Sequence, residues 1–211
     1  MKKEILNLSA VCLLTIGSTS VLSAQQHNPA ATALIVIDIQ NDYFQGGKMP
    51  LSGADKAGRN AKKLIEKSRK TGIPVIHIQH IALQEGATFF LPDTKGAEIH
   101  TDVTPLKNEK LIVKHYPNSF HETELLEYLR QNKIKNLVFA GMMTHVCIDA
   151  TVRAAKDYGF NCTLIGDATA TRDLEINDQT AKAAEVQKAF LAALNFYYAE
   201  ISSTSKFLAQ Y

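Results

Sequence analysis

From Ala33 onward, short apolar runs rich in β-branched residues alternate with stretches patterned for helices, and that alternation leaves the chain few folds to choose from. The runs are Ala33 to Ile39, Val75 to Gln79, Leu111 to Lys114, Asn136 to Ala140, Cys162 to Ile165, and a short one near Ala199 to Ile201. Most are continuous rather than alternating apolar and polar, as expected of strands covered on both faces. Helical patterns fall between them, at Ala54 to Arg69, Glu122 to Gln131, Cys147 to Tyr158 and Asn177 to Tyr197, with Gly72 and Gly159 as stops. The sequence therefore predicts an α/β fold, a three-layer α/β/α sandwich around a central, mostly parallel six-stranded sheet. The long segment from Ile81 to Glu109 carries Gly86, Pro92, Gly96 and Pro105 and follows a strand end, where such folds place functional loops.

In a parallel sheet every strand finishes at the same edge, so residues at the ends of separate strands can converge in one crevice. Asp38 ends the first run, Lys114 ends the third, and Cys147 opens the helix after the fourth. Taken singly, each has an ordinary structural reading: a turn carboxylate, a solvated lysine, a buried thiol. Together they supply a base, a cation and a nucleophile. A thiol at a helix start also lies near free backbone N–H groups and the positive end of the helix dipole, which favours thiolate.

Four segments, Asp38-Ile-Gln-Asn-Asp-Tyr-Phe-Gln-Gly-Gly47, Lys114-His-Tyr-Pro-Asn-Ser-Phe120, Gly141-Met-Met-Thr-His-Val-Cys147 and Gly166-Asp-Ala-Thr-Ala170, stand in an order that resembles the isochorismatase-like cysteine hydrolases. The resemblance covers nearly all of the chain from about Ala33. It implies a catalytic triad of Asp38, Lys114 and Cys147, an oxyanion hole from the backbone N–H groups of Met143 and Cys147, and a cis peptide between Met142 and Met143. It places His80, Phe90, Thr94, His115 and Phe120 on the substrate pocket. The implied activity is hydrolysis of an amide-type C–N bond in a small molecule through a thioester, without a cofactor, in a homo-oligomer.

Nicotinamidases of this superfamily hold a divalent ion with an Asp and two His after the second strand. Here that stretch reads His77-Ile-Gln-His80-Ile-Ala-Leu-Gln-Glu85, without the Asp-x-His pattern, so no metal is expected and a metal-assisted nicotinamidase-type amidase is an alternative. True isochorismatases lack the nucleophilic cysteine. A non-catalytic small-molecule-binding protein on the same scaffold is a further alternative, which would not require all three of Asp38, Lys114 and Cys147. Redox work is disfavoured because Cys147 has no Cys-x-x-Cys partner. Thr144 reads as a hydrogen-bonding residue of the turn before Cys147, and Asp167 as a partner for backbone groups after its strand.

A hydrophobic share of 45% and a charged share of 21% over 211 residues suit one globular domain with a full core. The net charge of +2 is spread along the chain with no block of basic residues interleaved with aromatics, which argues against nucleic-acid binding. Two lysines after Met1 precede an apolar stretch from Ile5 to about Leu22, then Ser23-Ala24. This pattern predicts a signal peptide over 1–24, a linker over 25–32, a hydrolase domain over 33–211, and an exported protein, periplasmic or secreted. Asn7, Ser9 and Gly17-Ser-Thr-Ser20 interrupt the stretch, leaving less than the ~20 apolar residues of a membrane span. No membrane association is expected after cleavage. Cleavage removes Cys12, and Cys147 and Cys162 are expected at opposite sheet edges, unpaired.

Overall fold

The computed structural model describes residues 31–211, so the segment 1–24 and all but the end of the linker lie outside the described residues. Thr32, assigned to the linker by the sequence, instead opens the first strand. The chain runs β1 (Thr32–Ile37), α1 (Ala54–Thr71), β2 (Val75–His80), β3 (Lys110–Lys114), α2 (Leu125–Gln131), β4 (Asn136–Met142), α3 (Asp149–Asp157), β5 (Asn161–Ala170), β6 (Leu174–Ile176), β7 (Gln179–Ala181), α4 (Ala183–Tyr197), β8 (Glu200–Ser202) and α5 (Thr204–Gln210). Six strands form one sheet in the order β3-β2-β1-β4-β5-β8, with every neighbouring pair parallel.

β1 is buried along its whole length, so its two faces feed two cores. Leu34 and Val36 pack with Ala57, Ala61, Leu64 and Ile65 of α1 and Phe207 of α5. Ala33, Ile35 and Ile37 pack with Leu125 and Leu129 of α2, Val152 and Ala155 of α3, and Leu194 of α4. This is the three-layer arrangement that continuous apolar runs require. In α1 the buried positions recur at helical spacing, and the helix stops at Gly72, whose φ of 74° lets its N–H reach Ser68 O.

The order of strands reverses between β1 and β4, where one branch of the chain winds outward to β3 and the other to β8. Such a switch point opens a crevice at the carboxyl ends of the strands.

Four local expectations are corrected. The helix expected from Asn177 begins at Ala183, because Asn177 and Asp178 both take positive φ, 50° and 60°, and turn the chain into the β6–β7 hairpin. The helix expected from Glu122 begins at Leu125, since Glu122 also has a positive φ of 53°. β5 continues past Ile165 to Ala170, so Asp167 lies inside the strand rather than after it. The helix expected from Cys147 is preceded by a wide π-type turn, Thr144–Ile148, and α3 starts at Asp149. α5, which periodicity does not reveal, is capped by Ser203, whose hydroxyl accepts from Lys206 N.

Candidate active site

Register brings the chain's chemistry to one edge. His80 of β2 pairs with Lys114 of β3, and Ile37 of β1 pairs with both Ile78 of β2 and Gly141 of β4. Asp38 follows Ile37 directly, and Cys147 lies in the turn after β4. Asp38, Lys114 and Cys147 thus stand together across the switch point, at 0%, 1% and 3% exposure.

Lys114 Nζ is the hub. It lies 2.8 Å from Asp38 Oδ2, 2.9 Å from His80 Nδ1, 3.1 Å from Tyr116 O and 3.3 Å from Cys147 Sγ. An ammonium has three protons, and the contacts with His80, Tyr116 O and Cys147 account for all three, which leaves Asp38 met by charge alone. Asp38 is held as an ion pair, and neither of its carboxylate oxygens has an aligned hydrogen bond among the described residues. An acceptor left without a hydrogen bond in so buried a place is costly.

The charges follow from this packing. Burial works to lower the pKa of Lys114, but the Asp38 carboxylate and Cys147 beside it hold it above its ordinary value. Burial, then the Lys114 charge, lowers His80 to about 4. Since Lys114 can only donate, His80 Nδ1 accepts and the imidazole proton sits on Nε2. For Cys147, burial and then the Asp38 carboxylate push the thiol well up, against the pull of Lys114. This corrects the expectation that a helix start favours thiolate: the sulfur is enclosed and lies in the wide turn before α3, so desolvation outweighs the dipole. At rest the sulfur is a thiol.

The turn itself is fixed by close packing. Gly141 has φ 139°, and a Cβ there would overlap the Ile37 carbonyl, so only glycine lets β4 pass β1 at this point. The Met142–Met143 peptide is cis. Met143 O accepts from Val146 N at 3.1 Å and Ile148 N at 3.2 Å. Thr144 Oγ1 lies 3.1 Å from Ala170 O and 2.7 Å from Gln187 Oε1, tying the turn to β5 and α4. Asp167 Oδ1 accepts from Thr204 N and Oγ1, securing the start of α5.

The residues expected on the pocket divide. His80 touches Lys114, and Phe90 is buried beside it with ring centroids 5.9 Å apart. His115 is exposed, with Nδ1 2.8 Å from Ile81 O. Thr94 is exposed, its hydroxyl donating to Leu91 O and accepting from Ala97 N, away from the contacts of Lys114. Phe120 packs against Tyr158 and Phe160 in the α2–α3 core. Two residues escape the sequence pattern although both lie in the segment that begins at Asp38. Gln40 clamps the end of β2, accepting from His80 N and donating to His80 O and Ala97 O. Tyr43 is buried against Phe90 at 4.6 Å, and burial first, with the acidic groups beside it after that, raises its pKa well above the ordinary value.

Asp38, His80 and Cys147 each offer a ligand atom within 4.8 Å of one another. Lys114 Nζ already contacts all three, so a cation of the protein's own fills that role. His77 turns to Glu109 at 3.0 Å, and these residues do not make the Asp-and-two-His set of a nicotinamidase.

Residues 32–196 match the family model of the isochorismatase domain. The isochorismatase family protein YddQ of Bacillus subtilis is 52% identical over 177 residues, 84% of this chain and 98% of its own length. Ureidoacrylate amidohydrolase RutB of Rhizobium rhizogenes is 27% identical over 84% of this chain and 86% of its own. A crystal structure described as an isochorismatase hydrolase from Oleispira antarctica superposes with a TM-score of 0.82 at 46% identity, covering 85% of this chain and 97% of that one.

Proposed function

The chain belongs to the isochorismatase family, and on that premise we propose that it is a cysteine hydrolase that cleaves a small-molecule amide through a thioester on Cys147. The observation that carries this reading is Lys114 Nζ standing 2.8 Å from Asp38 Oδ2 and 3.3 Å from Cys147 Sγ at the switch point of the sheet. Amide hydrolysis by the relative RutB, stated in its name, supports the bond type.

Because the resting sulfur is a thiol, its proton leaves as attack begins. Asp38 takes that proton while Sγ bonds to the amide carbon, and the carbonyl oxygen becomes an oxyanion held by the N–H groups of Met143 and Cys147. Collapse breaks the C–N bond, and the departing nitrogen takes the proton from Asp38. Asp38 next removes a proton from water, the hydroxide attacks the thioester, and the sulfur recovers the proton as the acid leaves. Lys114 stays charged throughout and keeps Asp38 and the sulfur in place. The apolar leader over 1–24 completes the proposal with export from the cytoplasm.

A panel of small amides, ureas and N-carbamoyl compounds tests it. Wild type should hydrolyse at least one, and Cys147→Ala should not. Turnover by Cys147→Ala within a few-fold of wild type would refute the nucleophile.

A further inference from the structure

Resting on the cysteine-hydrolase reading, we infer that Gln187 of α4 is a positioning residue for the reaction: through the hydroxyl of Thr144 it holds the turn whose backbone N–H groups, those of Met143 and Cys147, meet the oxyanion. Thr144 opens that turn, directly after Met143, and is completely buried. Its Oγ1 stands 2.7 Å from Gln187 Oε1 and 3.1 Å from Ala170 O, and Gln187 Nε2 stands 2.7 Å from Thr169 Oγ1 and 3.2 Å from Gly166 O. The chemistry of these groups fixes which way each proton points. A carbonyl oxygen only accepts, so the amide nitrogen of Gln187 faces Gly166 O, and its oxygen is thereby turned to Thr144. Thr169 spends its own proton on Gly166 O at 2.9 Å and so accepts from Gln187. Thr144 has one proton, and Gln187 is the nearer of its two acceptors.

One side chain of α4 thus bonds both β5 and the nucleophile turn. The rest of the turn is held differently. Met143 O accepts from Val146 N and Ile148 N within the turn, His145 Nδ1 lies 2.6 Å from Thr171 Oγ1, and Cys147 Sγ has its own tether in Lys114 at 3.3 Å. Loss of the Gln187 acceptor therefore loosens the start of the turn, where Met143 joins it, more than it moves the sulfur. Oxyanion donors act only over a narrow range, about 2.7–3.1 Å from the oxygen they hold, and a misplacement of about 1 Å costs on the order of 10²-fold in rate. Attack by the sulfur without an oxyanion makes no such demand. Gln187 is itself half-buried beside a cavity of about 250 Å³ lined also by Ser52, Lys56 and Thr171, so its side chain can be exchanged without overfilling the core.

Hydrolysis and alkylation separate the two demands, because displacement of iodide from iodoacetamide by Cys147 forms no oxyanion. Gln187→Met keeps the length of the side chain and removes its acceptor. For an amide that wild type hydrolyses, kcat should fall at least about tenfold with KM within about twofold, the pattern of an interaction made only in the transition state. Labelling of Cys147 by iodoacetamide, followed by peptide mass spectrometry, should stay within about twofold of wild type, since no oxyanion forms. Thr144→Val should show the same split, and in that background Gln187→Met should add less than about twofold, because the bond it removes is already gone. Gln187→Ala, with alanine the best helix former, gives the same reading if Gln187→Met does not fold. Undiminished kcat in Gln187→Met, alkylation that falls in step with kcat, or losses that multiply in the double variant each overturn the inference. Hydrolysis by Cys147→Ala as fast as wild type is a separate outcome, which overturns the cysteine-hydrolase reading first and this inference with it.

Discussion

Lys114 and Asp38 form a fully buried ion pair, and that burial changes what their substitution does. Their strand-end positions in the sequence suggest residues outside the core, whose loss would spare the fold. At 0% side-chain exposure for both, removing one partner leaves the other charge uncompensated, which costs about 3–5 kcal/mol. Lys114→Met should therefore lose about that much in urea unfolding, and the double variant Asp38→Asn/Lys114→Met should recover most of it. A single variant as stable as wild type would show the pair to be solvated. Asp38→Asn alone separates two roles of the carboxylate. Its charge holds the Cys147 thiol up, so the neutral amide should leave alkylation by iodoacetamide at least as fast as in wild type. Amide turnover should fall by roughly 10²–10⁴, because the leaving nitrogen has lost its proton donor. Asp38 and Lys114 are legible in the sequence because each ends an apolar run, and Cys147 because it follows one. Tyr43 and the wide turn are not, since their significance comes from packing between segments far apart in sequence.

At the scale of elements, the sheet and its order of crossovers follow from runs buried on both faces. The departures are concentrated where backbone geometry, rather than periodicity, decides. Asn177 and Asp178 convert an expected helix start into a hairpin, and Gly141 shapes the passage from β4 into the nucleophile turn. Two glycines of positive φ make a controlled test. Gly159 has φ 90° and open space where an added methyl carbon would stand, so Gly159→Ala should cost only about 1 kcal/mol of left-handed strain. At Gly141 the added carbon would meet the Ile37 carbonyl itself, so Gly141→Ala should cost more than about 3 kcal/mol by urea unfolding, or prevent folding. Equal losses in the two would mean that β1 and β4 can separate without penalty.

At the scale of the whole molecule, one polar network ties α1 and β2 to the start of β3, the strand whose far end carries Lys114. Glu109, just before β3, receives Arg69 of α1 at 2.8 Å through both carboxylate oxygens, Leu106 N at 2.8 Å, and His77 of β2 at 3.0 Å. Burial works to raise the Glu109 pKa, but these partners hold it at about 2 against an ordinary 4.5. Burial lowers His77 below its ordinary 6.5 even with Glu109 opposing. Both shifts mean that the unfolded chain binds protons the folded one refuses, so stability falls as pH falls, first from His77, together with His80 of the active site, below 6.5 and then from Glu109 between 4.5 and about 2. Thermal melts should show wild type losing stability from pH 7 to pH 5, and His77→Gln losing less over that range. An equal loss would mean that His77 does not set this pH dependence. The claim on which all else rests is the covalent intermediate. Mixing the enzyme with a hydrolysed amide, quenching in acid and digesting should give a Cys147 peptide heavier by the acyl group, with the added mass released by hydroxylamine. Turnover with no acyl group on Cys147 at any quench time, together with undiminished hydrolysis by Cys147→Ala, would contradict it.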